Sequence, residues 1–483
     1  MSRNEAFDEI LQRRRAAKRT TLAGKLASEW LYLVAPGGRV WAQRVLILPT
    51  IHAAFDEKEY PMRRCFLLKL LLSVSFALTT SQLPAADGNW PGYRGLDGSG
   101  HTTESGLPVK WSEKDVVWRV ELNGIGQSSP CIWGEHIFVT TASKNDQGKI
   151  ERYVQCVERV KGKVIWKQLA ATGAGESLHK MNTWATPTCA TDGKHVVAFF
   201  GPGGLHCYGT GGAKLWSREL GEFPGGWGIA ASPIILGDLV IQNCDAEGSS
   251  YLIALNKETG KQVWRTDRKS LPKGGWSTPI LIDTGKRKEL VLNGEFGVQG
   301  YNPETGADYW SCQSFNGRGS PIPAWGHGLL YVVNGKPGDI YAVRPGGRGD
   351  VTGSHMAWHT PRGGDRDLSS PILVGDHVFV VSMKGIATTY DAKSGEELWK
   401  KRLGGNYSAP PMAANGLIYL QDESGKTVVV RPGDDLDVVA KNPISATDDE
   451  IFRASPAPSR GQIFVRSNRA LYCIGKRSTV AGL

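Results

Sequence analysis

The chain has 483 residues, of which 40% are hydrophobic, with 60 glycines and 26 prolines. This composition excludes a disordered protein and favours many short strands joined by tight turns over long helices. The formal net charge is +10, but most of the excess lies in residues 1–86. No basic stripe with interleaved aromatic residues follows, so we do not expect nucleic acid as a partner.

The N-terminal part of the chain carries an export signal at an unusual position. Residues 62–86 begin with Met62 and two arginines, continue with an apolar run and end on small residues, which is the pattern of a secretory signal peptide. The apolar run is short for a membrane span, although an anchoring helix is the alternative. We interpret residues 1–61 as an upstream extension, not a domain, and predict that translation starts at Met62. The expected location is periplasmic or extracellular, with no stable membrane span after signal cleavage.

Two markers alternate along the rest of the chain. The first is a tryptophan that recurs roughly every 40–50 residues, as expected for a repeat architecture. It stands at Trp118, Trp166, Trp216, Trp264, Trp310, Trp358 and Trp399. The second is a small residue followed by a proline that opens a hydrophobic strand. This step occurs at Pro130, Pro187, Pro233, Pro279, Pro321, Pro371, Pro410 and Pro456.

Each repeat unit predicts four strands. In "ALNKETGKQVW", Asn256 is suited to cap a turn, Gly260 to adopt positive φ, and Trp264 lies on an alternating last strand. Units of this length with four strands are typical of β-propeller blades. The last unit has no fourth strand, and the early strand at 116–122 is available to supply it. We therefore predict an all-β fold: an eight-bladed propeller of four-stranded antiparallel blades over residues 116–475, with the ring closed by strand 116–122.

Other features of the repeats refine this prediction. A lead segment at 87–115 precedes the propeller and a tail at 476–483 follows it. Small residues about ten positions before each tryptophan are expected to let the indole dock between blades. In the seventh unit we expect Val439 at the tryptophan position, and therefore the weakest lateral packing. The scattered cysteines do not form a disulfide or zinc pattern.

The motif Ala-x-Asn/Asp-x-x-Thr-Gly-x-x-x-Trp resembles the docking repeat of the pyrroloquinoline quinone (PQQ) propeller superfamily. "NWPGYRGLDGSG" at 89–100 is similar to the start of exported bacterial members. The resemblance implies one of three roles: a quinoprotein dehydrogenase with PQQ and calcium in its funnel, an outer-membrane barrel-assembly propeller, or a kinase sensor domain. The chain lacks the adjacent Cys-Cys pair, haem motif and large insertions of dehydrogenases, and it has no kinase motifs.

The loops that lead into the innermost strands carry the candidate site. Such loops cluster at one mouth of a propeller, and here they are rich in aromatic and cationic residues. The candidate ligand-binding residues are Lys180, Trp184, Trp227, Trp276, Arg318, Arg366, Tyr407 and Arg453. This combination suits a planar anionic ligand, a glycan or an acidic peptide. The alternative is that the tryptophans only fill the loops and the charges pair locally, as in Arg366 with Asp365 and Asp367.

These observations favour a binding or scaffolding module of the cell envelope with a protein or glycan partner. No catalytic residue, metal site or cofactor is evident from the sequence. The alternative is a PQQ- and calcium-dependent oxidoreductase of the alcohol or sugar dehydrogenase type, for which Asp365 and Asp367 are the candidate carboxylates.

Overall fold

The computed structural model describes residues 28–34, 40–46, 88–268, 274–313, 318–334, 338–363 and 369–477. The chain divides into two units, Met1–Ser81 and Gln82–Leu483. In the first unit, β1 (Ser28–Val34) pairs antiparallel with β2 (Val40–Leu46). The predicted signal peptide and the last six residues of the tail lie outside the described residues. Among the described residues, no helix combines the length and hydropathy needed to cross a membrane.

The second unit is the predicted eight-bladed propeller, with four-stranded antiparallel blades in chain order. Blade 1 contains β5 (Cys131–Trp133), β6 (His136–Lys144), β7 (Ile150–Glu158) and β8 (Val164–Gly173), and blade 2 contains β9 (Ala190–Thr191), β10 (His195–Phe199), β11 (Leu205–Gly209) and β12 (Lys214–Arg218). Blade 3 contains β13 (Ile234–Leu236), β14 (Leu239–Asn243), β15 (Tyr251–Asn256) and β16 (Gln262–Asp267), and blade 4 contains β17 (Ile280–Asp283), β18 (Lys288–Gly294), β19 (Gly297–Tyr301) and β20 (Asp308–Gln313).

The remaining four blades follow the same order. Blade 5 contains β21 (Ala324–Gly326), β22 (Leu329–Val333), β23 (Ile340–Val343) and β25 (Met356–Thr360), and blade 6 contains β26 (Ile372–Val374), β27 (His377–Val381), β28 (Ile386–Asp391) and β29 (Glu397–Arg402). Blade 7 contains β30 (Met412–Ala414), β31 (Leu417–Gln421), β32 (Thr427–Arg431) and β33 (Asp437–Asn442), and blade 8 contains β34 (Ala457–Ser459), β35 (Gln462–Arg466), β36 (Ala470–Ile474) and the early strand β4 (Val116–Glu121).

Strand β4 closes the ring as the sequence predicts. It pairs antiparallel with β36, so that Cys473 lies opposite Trp118. The two ends of the propeller are thereby joined in one sheet, and β4 covers the edge of β36 that would otherwise be unpaired.

In each blade the last strand contains a β-bulge just before its docking position. In blade 3, for example, Ala254 pairs with Trp264 and Leu255 pairs with Gln262, so Val263 is the extra residue. The residue opposite the tryptophan is small, as expected: Cys156, Cys207 and Gly300 occupy it elsewhere. Because a bulge bends its strand and re-aims the next side chain, it turns the indole toward the neighbouring blade.

The indole docks on the glycine of the next blade's turn. A Cβ added at Gly260, which has φ +65°, would lie 2.7 Å from the Trp216 ring, and Trp216 Nε1 donates to Lys257 O at 2.7 Å. Asn256 Oδ1 accepts from the backbone N–H of Thr259 and so holds this turn. The same glycine–indole contact recurs at Gly162, Gly212, Gly306 and Gly395. Each repeat motif therefore supplies a turn glycine that receives the indole of the preceding blade and a tryptophan that docks on the following blade.

Blades 4 and 5 differ because an insertion replaces the usual turn. The insertion contains β24 (Gly349–Asp350) and the short helix α1 (Thr352–His355), and β24 adds a parallel fifth strand beside β20. Trp310 Nε1 instead donates to the buried Glu289 carboxylate at 2.7 Å. The Arg-Gly-Asp sequence at 348–350 lies in this insertion, where the Asp350 carboxylate accepts from the Thr352 backbone.

The expectation for the seventh unit was wrong in its register. Ala440, not Val439, lies opposite Val429 at the docking position, and Val439 is the bulge residue. The short side chain of Ala440 shares a buried cluster with Trp111 of the lead segment. The Trp111 backbone N–H donates to Asn442 Oδ1 at 3.0 Å. An indole from outside the repeats thus packs in the cluster that blades 7, 8 and 1 share.

Hydroxyl groups at the proline steps tie the innermost strands together. The backbone N–H of Ser129 donates to Thr188 Oγ1, that of Thr188 to Ser232 Oγ, and that of Ser232 to Thr278 Oγ1. The N–H of Ser455 in blade 8 donates in the same way to Ser129 Oγ in blade 1. These residues are buried. The hydrogen bonds satisfy backbone N–H groups that point toward the next blade, where no strand pairs with them.

The lead segment closes the channel at the end remote from the proline steps. Trp90 and Ile132 of β5 exchange backbone hydrogen bonds at 2.8 Å, and β3 (His101–Thr102) pairs parallel with β30. Between them, the buried guanidinium of Arg94 donates to Ser99 O at 2.7 Å and to Pro371 O at 3.2 Å. The segment therefore crosses from blade 1 to blades 6 and 7 under the channel.

The seven cysteines of the propeller are buried and free. Burial raises the pKa of Cys156 and Cys207 to about 12. They act as small apolar side chains beneath the indoles.

Candidate functional site

A cavity of about 200 Å³ lies at the mouth of the channel, where the proline steps enter the innermost strands. We call it the mouth cavity. It is lined by Tyr93, Gln127, Ser129, His179, Met181, Asn182, Thr186, Thr188, Trp227, Ala230, Trp276, Arg318, Ser320, Ser408, Pro410 and Arg453. These described lining residues include two arginines and a histidine but no carboxylate.

The wall on the side of blades 1 and 2 is the loop between β8 and β9. Glu176 of this loop pairs with the buried Arg152 and its carbonyl accepts from Trp184 Nε1 at 3.1 Å. Burial raises the pKa of the Glu176 carboxyl. Asn182 then donates to Trp227 O at 2.9 Å and links this loop to the next one.

The central feature of the cavity is an arginine held by two indoles. The Arg318 guanidinium lies 4.5 Å from the ring centroid of Trp227 and 5.6 Å from that of Trp276. His179 stacks on Trp227 with ring centroids 4.9 Å apart. Trp276 Nε1 donates to Gly228 O at 3.0 Å, which fixes its ring. Aromatic faces attract a guanidinium and hold it in place.

The second arginine of the cavity is neutralised by protein. Arg453 Nε lies 3.0 Å from Glu423 Oε1, and the same carboxylate accepts from Ser408 Oγ at 2.6 Å. Arg453 also reaches across the mouth to Lys180 O at 3.5 Å.

Of the predicted site residues, the structure brings Trp227, Trp276, Arg318 and Arg453 together in the mouth cavity. Lys180 is exposed at the rim. Arg366, Asp365 and Asp367 lie outside the described residues.

Two of the predicted site residues, Trp184 and Tyr407, do not line the mouth cavity. Trp184 packs against the cluster of blades 1 and 2. Tyr407 is only 1% exposed inside the cluster of blades 6 and 7, where burial raises its pKa. Both are absent from the cavity lining because their rings turn inward between blades before the proline step.

Sequence reasoning missed His179, Asn182 and Tyr93. The first two stand in the loop "HKMNTW" at 179–184, which also contains the predicted Lys180 and Trp184, so their loop was found although their roles were not. Tyr93 lines both the mouth cavity and a second cavity at the far end, and therefore separates them. Nothing in the repeat pattern points to it, because it reaches the channel from the lead segment.

The lining of the mouth cavity also shows whether PQQ and calcium would fit there. Calcium prefers several carboxylate and carbonyl oxygens. The described residues contain no group of three or more His, Cys, Asp or Glu arranged for a metal, and Glu423 is engaged by Arg453 and Ser408. The described part of the cavity does not fit a calcium-bound quinone.

The fold and the repeat define the class of protein: an eight-bladed propeller of the PQQ-like type. The family described as outer membrane protein assembly factor BamB matches residues 101–240, 150–320 and 294–439. These matches span more than half of the chain, and the chain belongs to this family.

Individual relatives agree with this assignment. The chain is 23% identical over 285 residues to the BamB protein of Yersinia pestis, covering 55% of this chain and 67% of that protein. The crystal structure of BamB from Moraxella catarrhalis superposes with a TM-score of 0.53 at 16% identity, covering 76% of this chain and 99% of that one. A europium-containing methanol dehydrogenase has a TM-score of 0.61 at 10% identity, covering 81% and 98%. At these identities the two structures show a shared fold alone.

Proposed function

We propose that this protein is an exported binding module of the cell envelope and that its mouth cavity is the site for a protein partner. The observation that carries the proposal is Arg318, which is held by Trp227 and Trp276 at the mouth. Its side chain has no hydrogen bond or ion pair with a described residue. A cation held in this way, in a cavity whose described lining residues include no carboxylate, is a feature of a recognition site.

The family supports a role in assembly. The relatives are named outer membrane protein assembly factors, and such a role needs a partner surface, not a reaction centre. The signal-like segment at 62–86 supports export to the same compartment.

Photo-crosslinking in the native host tests the proposal. A benzoylphenylalanine is placed at position 320, where Ser320 lines the cavity, or at position 400, where Lys400 is exposed on the outer strand β29. We expect position 320 to form a defined cross-link with an envelope protein, identified by mass spectrometry, and position 400 to form none with it. Equal cross-linking from both positions, or none from 320 in a folded protein, would contradict the proposal.

A further inference from the structure

We infer that the mouth cavity takes a carboxylate from the partner's polypeptide and that Arg318 is the group that receives it. This inference rests on the proposed function and adds the chemistry of the recognised group.

The aromatic rings of the cavity contact protein groups, including the arginine, and offer a stacked ligand less ring surface. Trp227 already contacts the His179 ring at 4.9 Å and the Arg318 guanidinium at 4.5 Å. These contacts occupy much of its ring surface. What the arrangement offers to a ligand is the N–H edge of Arg318, whose fork geometry matches a carboxylate.

The charges of the lining favour the same ligand. The described lining residues include two arginines, Arg318 and Arg453, and no Asp or Glu. Glu423 neutralises Arg453 from behind at 3.0 Å, so Arg318 is the cation left without a carboxylate among the described lining residues. A concave site with one sign of charge attracts the opposite charge.

The floor of the cavity decides how the ligand enters. Tyr93 of the lead segment lines both the mouth cavity and the far cavity, which places it at the floor of the mouth cavity. Its hydroxyl has no hydrogen-bond partner among the described residues, and burial raises the pKa of Tyr93. The hydroxyl therefore stays protonated at neutral pH as a second donor. A side chain or a chain end, inserted from the mouth, fits such a blind cavity.

Three acetylated pentapeptides separate the two sources of a carboxylate. Gly-Ser-Asp-Leu-Gly amide carries only a side-chain carboxylate, Gly-Ser-Asn-Leu-Gly acid only a terminal one, and Gly-Ser-Asn-Leu-Gly amide neither. Binding to the full chain is measured by isothermal titration calorimetry at 50 mM and 500 mM salt. We expect one of the first two to bind at least tenfold more tightly than the neutral peptide, and more weakly at high salt.

Variants assign the effect to the arginine. Arg318→Gln removes the charge and should lower the affinity of the preferred acidic peptide about tenfold or more. Arg318→Lys keeps the charge without the planar fork of N–H donors, so its affinity for this peptide should lie between those of the native chain and Arg318→Gln. The matched control is Arg431→Gln, since Arg431 is exposed, pairs with Asp437 and does not line the cavity. Circular dichroism verifies that each variant is folded.

The inference is wrong if the neutral peptide binds as tightly as the acidic ones, if none of the three binds, or if Arg318→Gln binds like the native chain. In each case the cross-link from position 320 tells the two proposals apart. If the cross-link persists, the mouth has a partner that is recognised by other groups. If it is also missing, the proposed function fails with the inference.

Discussion

At several positions of this propeller, the residue type is explained by its contact with the next blade. Gly260 provides both a positive φ and the space that the Trp216 ring fills, and Cys207 stands opposite the same ring because a larger side chain would displace it. In the mouth cavity, two tryptophans have a different role, since their indoles hold the Arg318 guanidinium and do not dock between blades.

The two functions of the docking glycine can be separated by a matched pair of substitutions. Gly260→Ala and Gly237→Ala both place a Cβ at positive φ, but only at Gly260 does it meet a ring, since nothing lies within 4 Å of it at Gly237. We expect about 1 kcal/mol of destabilisation at Gly237 from the backbone alone. At Gly260 we expect about 1–2 kcal/mol more from overpacking. Urea denaturation measures both, and equal losses would contradict indole docking as the reason for the glycine.

A buried histidine makes stability depend on pH. His206 is 5% exposed, donates to Gly203 O at 2.7 Å and accepts from Ser217 Oγ. Burial lowers its pKa to about 4, below that of an unfolded histidine. Between these two values the unfolded chain binds the extra proton, so the contribution of His206 is complete above about pH 6.5 and is lost as pH falls toward 4.

We therefore expect the free energy of unfolding to fall by about 2 kcal/mol between pH 7 and pH 5 because of His206. His206→Gln should remove this part of the pH dependence while leaving the dependence that comes from other groups. Denaturation curves at the two pH values provide the test. A variant with the full pH dependence of the native chain would show that His206 is not its source.

At the level of elements, each blade's last strand combines a bulge with a docking residue, and the loops before each proline step form the mouth. The seventh blade shows how this rule is met when the repeat is degenerate. Ala440 leaves the docking position small, and Trp111 of the lead segment is buried in the same cluster. The lead segment is thus a packing element as well as the floor of the channel.

Removing the substitute indole should cost as much as removing a core tryptophan. We expect Trp111→Ala to destabilise the propeller by about 3 kcal/mol or more. Trp111→Phe should cost less, because it keeps an aromatic ring and removes an indole N–H that is buried without a partner. Leu96→Ala, at an 86% exposed side chain of the same segment, is the control. Similar stabilities for Trp111→Ala and Leu96→Ala would show that Trp111 does not support blades 7 and 8.

For the whole molecule, stability depends on joining the two ends of the propeller. Blade 8 takes three strands from the end of the chain and β4 from its beginning. Arg466 of β35 adds a buried contact across the closure, since its guanidinium donates to Ser128 O at 2.8 Å and Thr140 O at 2.7 Å of blade 1. The ring is therefore expected to fold as one cooperative unit.

Two truncations test this closure. A chain without residues 1–87 keeps every strand of the propeller and should unfold at the same denaturant concentration as the main transition of the full chain. A chain without residues 1–122 loses β4 together with the lead segment and exposes the edge of β36, so it should unfold at lower denaturant or aggregate, by more than the loss of Trp111 alone explains. Equal stability of the two would mean that β4 is not needed for closure.

The position of the mouth loops could be predicted because repeats are local in sequence, while the ligand-binding role of their residues stays a prediction. The proline steps and tryptophans located the mouth loops, and four of the eight candidate residues line the cavity. Trp184 and Tyr407 were misplaced because a loop sequence does not show whether a ring turns toward the channel or between blades. His179 and Asn182 take part through contacts with a neighbouring loop, which one sequence does not reveal.

The repeat pattern alone determined the all-β class, the eight blades and their four strands, because seven of the blades are built from contacts between residues close in the chain. The closing role of β4 followed from the missing fourth strand of the last unit, not from local contacts. Only the tertiary structure decided the bulge that places Ala440 at the docking position, the burial of Trp111 between blades, and the floor formed by Tyr93. It also decided that Arg318 is the cation held by two indoles while Arg453 is paired with Glu423. The bulge is a register shift within one hairpin that the residue pattern does not reveal. The other features depend on residues far apart in sequence, whose meeting is set by the curvature of the ring.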